Sequence, residues 1–153
     1  MIINIQGDEP LLDPRMIDEV AGLLREDECA TLCSELTEDF WNPNIVKVVM
    51  SIDGHALYFS RSLIPYKRNA SSLPVYQHIG IYGYRTAFLK KYVSLPATPL
   101  SEAESLEQLK ILEHGFRIRV KVTECANVSV GVDTPEDIEK VRKITKSYSF
   151  NGN

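Results

Sequence analysis

The segment Ile2-Ile3-Asn4-Ile5-Gln6-Gly7-Asp8-Glu9-Pro10 limits the possible folds more than any other part of the chain. Its three isoleucines form an apolar run interrupted only by Asn4, the pattern of a parallel strand buried on both faces. Gly7 then permits a sharp exit, and Asp8 and Glu9 follow. Carboxylates just past the C-terminal end of a strand stand where open α/β sheets bind ligands. Mg²⁺ suits such a place, because it takes one or two carboxylates and fills its other positions with water and phosphate oxygens. Gly7 to Pro10 is also ordinary turn material, and these residues alone leave both readings open. A strand buried on both faces needs neighbours on both edges, and the remaining sequence offers few. The chain is therefore expected to be the later part of a larger domain.

A chain of 153 residues, 44% hydrophobic and 25% charged, can bury the core of one globular domain. Its net charge of −4 and scattered basic residues argue against a nucleic-acid partner. No apolar run approaches the roughly 18 residues of a membrane span, and no signal peptide is recognisable, so a cytoplasmic protein is expected. The three cysteines, Cys29, Cys33 and Cys125, lack metal-site spacing and read as small apolar core residues.

Hydrophobic periodicity places the elements. Asp13-Pro14 opens a helix that buries Met16, Ile17, Val20, Leu23 and Leu24. Strands are expected at 30–36 and 45–50, the latter joined to 56–60 by an Asp53-Gly54 hairpin turn, with Trp41 anchoring the loop between the first two. Residues 62–74 read as a surface loop. Val75 to Tyr84 is a long strand in which Gly80 and Gly83 imply a bulge or a close ligand. Thr86 caps a short helix to Val93. Ser101 and Glu104 form a capping box before one helix that carries Leu106, Leu109 and Leu112 and ends at Gly115. Strands at 117–123 and 128–132 follow, then a helix launched by Thr134-Pro135-Glu136-Asp137. Residues from Ser147 onward are expected to fray.

Several side chains could carry chemistry. Asp133, like Asp8, lies at a strand-to-helix junction; it is either a second metal carboxylate or one more polar residue at a helix entry. His78 is flanked by Ile79 and Ile81, and its period-2 neighbours Gly80 and Tyr82 leave an open polar face beside it. It reads either as a core histidine or as part of a binding cleft. Arg61, just past a strand, suits a carboxylate or simply faces solvent. Glu107 and Gln108 make ordinary helix-face pairs with Lys110 and Glu104.

Together these pieces resemble the sugar-acid cytidylyltransferases that make CMP-Kdo, the activated form of 3-deoxy-manno-octulosonate (Kdo). The matching stretches are 4–10 (Asn-Ile-Gln-Gly-Asp-Glu-Pro), 42–49 (Asn-Pro-Asn-Ile-Val-Lys-Val-Val) and 56–61 (Ala-Leu-Tyr-Phe-Ser-Arg). They continue with 78–85 (His-Ile-Gly-Ile-Tyr-Gly-Tyr-Arg), 106–109 (Leu-Glu-Gln-Leu) and 131–137 (Gly-Val-Asp-Thr-Pro-Glu-Asp). They come in the family's order and span nearly the whole chain. The resemblance implies an α/β fold, a nucleotide-diphospho-sugar transferase-like mixed sheet flanked by helices and incomplete at its N-terminal side. It implies one partial domain over 1–153, with 45–93 approximating a substrate and dimerisation lobe. It also implies that CTP and Kdo give CMP-Kdo and pyrophosphate, a step towards lipopolysaccharide in Gram-negative bacteria, in an enzyme that is a homodimer when complete. Asp8 and Asp133 match the Mg²⁺ ligands. Gln6, Arg61, His78, Tyr82, Glu107 and Gln108 match the sugar-acid pocket, where Arg61 and His78 are expected to donate to the carboxylate, and Glu107 and Gln108 to meet hydroxyls. The nucleotide loop that holds CTP in the family lies before the matched part. The alternative expectation is a non-catalytic sugar-acid-binding or dimerising remnant.

Overall fold

The computed structural model describes residues 1–125, 132 and 135–149, with side chains to residue 146. In chain order the elements are β1 (Ile2–Ile5), α1 (Arg15–Leu23), β2 (Cys29–Leu36), β3 (Lys47–Met50), β4 (Ala56–Ser60), β5 (Val75–Tyr84), α2 (Thr86–Val93), α3 (Pro99–Glu104), α4 (Glu107–Glu113), β6 (Arg119–Val122) and α5 (Pro135–Ser149). No helix among the described residues is long and apolar enough to cross a membrane.

The ten-residue β5 is the spine of the sheet. One of its edges pairs antiparallel with β2 along its length; the other pairs with β3 near its start and with β1 at its end. The strands run β4-β3-β5-β2-β6, and β2 with β6 is the parallel pair. The alternation of Tyr82 and Tyr84 with Ile81 and Gly83 explains the two cores. Tyr82 and Tyr84 join Phe59, Phe88, Tyr92 and Leu109 on one face. On the other, Ile79 and Ile81 meet Met16, Val20 and Leu24 of the α1 segment. Residues 45–93 thus contribute β3, β4 and β5 to the same sheet as β1, β2 and β6.

Several expectations change. β1 is antiparallel to β5, not parallel, and it is not buried on both faces: Ile2 is 43% and Ile5 41% exposed. Among the described residues it has a single strand neighbour, and only Ile3 packs against the core beside α1. Trp41 does not anchor its loop, for it is 81% exposed. The expected single helix after Pro96 is two, broken where Ser105 adopts a left-handed φ of 51°. The capping box belongs to Thr98 and Ser101, because the Glu104 carboxylate is engaged elsewhere. Thr86 is the first residue of α2 rather than its cap, a position that Arg85 occupies. α5 continues to Ser149, past the point where fraying is expected. Of the expected strand at 128–132, residues 128–131 lie outside the described residues, and Val132 is not in a strand.

The glycines of β5 answer to different constraints. Thr31 pairs with Tyr82 and Leu32 with Ile79, so Gly80 and Ile81 bulge out of the ladder. At Gly83 the close neighbour is the protein itself: a Cβ there would stand 2.5 Å from Val20 Cγ1 and 2.9 Å from Leu24 Cδ1. Gly83→Ala should therefore force α1 off the sheet and cost about 1–3 kcal/mol, read as a lower urea midpoint at unchanged m-value. An unchanged midpoint would show that α1 yields freely.

Candidate active site

One large cleft, about 1170 Å³, opens on the face bearing the tyrosines, and Gln6, Asp8, Arg61, His78, Tyr82, Glu107 and Gln108 all line it. Seven side chains chosen from four separate parts of the sequence therefore share one space. Asp133 lies outside the described residues. The Val132 amide donates to the Asp8 carbonyl at 2.9 Å, and Glu136, Asp137 and Lys140 of α5 line the same cleft as Asp8.

The bulge in β5 builds the centre of the cleft. At the bulge, Glu9 Oε1 accepts the Gly80 N–H at 3.0 Å. The Gly80 carbonyl accepts from the Gln6 amide at 2.8 Å. A side chain at Gly80 would meet Gln6 Oε1 at 2.5 Å and Glu9 Cγ at 3.0 Å, so glycine is what lets the turn after β1 close over β5. The Ile81 carbonyl is taken by the buried Thr31 hydroxyl at 2.6 Å. Glu9 and Thr31 thus supply partners at the bulge.

Aromatic rings form one wall. His78 and Tyr82 have centroids 5.0 Å apart, Tyr82 stacks on Tyr84 at 6.0 Å, and Tyr84 stacks on Tyr92 at 5.7 Å. Tyr82 is 5% exposed, and its hydroxyl finds no hydrogen-bond partner among the described residues. A buried, unpaired hydroxyl is costly unless a ligand or water meets it. Burial pushes the Tyr82 phenol well above its ordinary pKa and that of Tyr92 up to about 12, so both stay protonated. Burial also lowers the pKa of the half-buried His78 to about 3, which keeps its ring neutral.

The opposite wall is organised by cations. The Arg61 guanidinium donates to three carbonyl oxygens, those of Glu104 at 2.8 Å, Pro43 at 3.0 Å and Ser105 at 3.4 Å. It thereby ties the 42–44 loop to the break between α3 and α4, and it retains further N–H groups for a ligand. Glu104 accepts from Ser60 Oγ at 2.6 Å and from the Arg61 amide at 2.9 Å. Burial opposes its ionisation, but these bonds prevail and hold its pKa below the usual carboxylate value. Beneath them lies Lys47, fully buried, with Nζ donating to Asn42 O at 2.7 Å and Arg61 O at 3.0 Å. Burial, and then the charge of Arg61, lower the Lys47 pKa.

Sequence reasoning missed Lys47, Glu104, Thr31, Tyr84 and Tyr92. A lysine inside Ile45-Val46-Lys47-Val48-Val49 was a signal for a buried charge, and Tyr84 follows from the same alternation as Tyr82. Thr31 and Glu104 carry no such mark, since each acts through a partner more than forty residues away.

The profile of the cytidylyltransferase family matches residues 1–121, and the chain belongs to that family. Within it, the chain is similar to the 3-deoxy-manno-octulosonate cytidylyltransferase of Thermodesulfovibrio yellowstonii, 48% identical over 97% of this chain and 62% of that protein. The enzyme of the same name from Geobacter sulfurreducens is 46% identical over 92% of this chain and 62% of its own length. A solved structure of CMP:2-keto-3-deoxy-manno-octonic acid synthetase complexed with CTP superposes with a TM-score of 0.86 at 41% identity, covering 95% of this chain and 61% of that one. The mixed, helix-flanked sheet expected from the sequence is thus the nucleotidyltransferase-like sheet of these relatives. The chain spans about three fifths of the length of the curated relatives it matches.

The low pKa of His78 has a consequence for stability. Its folded value of about 3 lies below the ordinary 6.5, so the unfolded chain takes up the proton more readily. The stability this implies is fully present above pH 6.5 and is lost as pH falls towards 3. His78→Asn should therefore lose less stability than the parent between about pH 7 and about pH 4.5, as measured by urea melts. Equal losses in the two proteins would exclude this role.

Proposed function

We propose that the chain forms the sugar-acid and metal side of a 3-deoxy-manno-octulosonate cytidylyltransferase site, in which CTP and Kdo give CMP-Kdo and pyrophosphate. The observation that carries this reading is the buried Tyr82 hydroxyl, without a hydrogen-bond partner among the described residues, in a cleft that also holds Arg61, His78, Glu107 and Gln108. Such a mixture of one cation, several neutral polar groups and stacked rings suits a small anion rich in hydroxyls. In the reaction the hydroxyl oxygen on the anomeric carbon bonds to the α-phosphorus of CTP. The bond from that phosphorus to the β-phosphate bridging oxygen breaks, and the hydroxyl proton is released. The residues of this chain contribute by holding the sugar acid for in-line attack.

Asp8, exposed at the cleft, and Asp133 would hold Mg²⁺. The cleft's carboxylates, which include Glu136 and Asp137, are oxygen donors of the kind this hard cation prefers. Among the described residues no group of three histidine, cysteine or acidic side chains is arranged to hold a metal alone. That fits an ion that draws its other oxygens from phosphates and water. When bound, Mg²⁺ neutralises phosphate charge and lowers the pKa of an attached hydroxyl. Three buried free thiols accord with a reducing, cytoplasmic setting in which the product serves lipopolysaccharide synthesis. For a homodimer of the complete enzyme, β4 offers an outer edge with the exposed Leu57.

Calorimetry with Kdo tests the pocket. Kdo should bind and a neutral hexose should not, and Arg61→Ala should weaken Kdo binding by about 1.5–3 kcal/mol. Tyr82→Phe should weaken binding as well while leaving the ligand-free protein equally stable or up to about 1 kcal/mol more stable. Unchanged Kdo affinity in both variants would sink the assignment. For the reaction, CTP- and Mg²⁺-dependent release of pyrophosphate on addition of Kdo is the direct assay. Kdo binding without any release would mark the chain as a sugar-acid-binding module.

A further inference from the structure

The bulge that centres the cleft also dictates where a proton sits. Thr31 is fully buried on β2, and its Oγ1 lies 2.6 Å from the Ile81 carbonyl, 3.4 Å from the Ile79 carbonyl and 3.0 Å from His78 Nε2. A hydroxyl has a single proton, and a carbonyl oxygen can only accept. Were the Thr31 proton turned towards His78, two oxygens would face each other at 2.6 Å with nothing between them. The proton therefore goes to Ile81, and Oγ1 must receive one from Nε2. An imidazolium would also satisfy Oγ1, but the site is desolvated and no carboxylate is hydrogen-bonded to the ring among the described residues. We infer that Thr31 locks His78 as the Nε2–H tautomer, so that His78 Nδ1 offers the cleft a hydrogen-bond acceptor.

This reverses the expected role of His78. Nδ1 has no hydrogen bond among the described residues, and the ring lines the cleft. A ligand carboxylate placed there would set lone pairs against a lone pair, whereas a hydroxyl would donate to it. The carboxylate then belongs at the Arg61 guanidinium and a hydroxyl at His78, which fixes the direction in which a sugar acid lies in the cleft. Thr31 is a positioning residue in this scheme: it acts through His78. The ligand half of the inference rests on the sugar-acid reading above; the tautomer does not.

The test is ¹⁵N NMR of histidine-labelled protein, with the His78 signals assigned by their loss in His78→Asn. At neutral pH, His78 Nε2 should show the shift of a protonated ring nitrogen and Nδ1 that of an unprotonated one. Thr31→Val should move both towards the average of two tautomers, and Thr31→Ser should restore them. A protonated Nδ1 in the parent, or an unaltered spectrum in Thr31→Val, overturns the lock. If Thr31→Val does not fold, the parent spectrum and Thr31→Ser still decide. On saturation with Kdo, Nδ1 should shift as an accepting nitrogen does, and Thr31→Val should bind Kdo roughly tenfold more weakly, the scale of one hydrogen bond. A Kdo response elsewhere in the cleft that leaves Nδ1 at its free value overturns the hydroxyl assignment. No response anywhere overturns the sugar-acid reading and the ligand half with it, while the tautomer stands as measured.

Discussion

The cleft depends on a fault in a ladder. Between Ile79 and Tyr82, β5 carries two residues that β2 does not match. Buried backbone groups must find partners. Here Glu9 reaches the Gly80 amide and Thr31 the Ile81 carbonyl. Satisfying the bulge therefore brings the turn after β1 against the middle of β5, and it gives Thr31 the contact through which it orients His78. The geometry of the site follows from the need to repair the sheet.

The far wall solves a different problem. A lysine with no exposed surface and an arginine at the end of the next strand form a pair of cations, and Glu104 is the acid held against the Arg61 amide. Their hydrogen bonds go largely to carbonyl oxygens, which fixes the 42–44 loop and the α3–α4 break without neutralising the cations. A cleft with one aromatic wall and one cationic wall discriminates by shape and by charge at once.

Much of this was legible in the sequence. The extents of β5 and α2 follow from periodicity and turn chemistry, and all three cysteines sit in the apolar surroundings their context implied. The resemblance brought together seven residues that do line one cleft. The failures share a cause. Apolar content alone does not say which edges of a strand will be paired, so β1 read as central although two of its isoleucines are more than two-fifths exposed. A tryptophan in a loop looked like an anchor because the pattern carries no information on whether a pocket awaits it. The break at Ser105 was invisible, since it is held by Arg61 and Glu104 bonds to the end of β4 rather than by local propensity.

Sequence separation has a kinetic corollary. The contacts that shape the cleft join residues 71 apart for Glu9 and Gly80, 47 apart for Thr31 and His78, and 43 apart for Arg61 and Glu104. Loop-closure entropy must be met before contacts of this kind give any return, so they form late along a folding route. No locally folded fragment contains the cleft, and partial opening of the sheet dismantles it. Occupancy by a ligand is then a readout of the fully folded population, and a substitution remote from the cleft lowers apparent affinity in proportion to the folded fraction it removes.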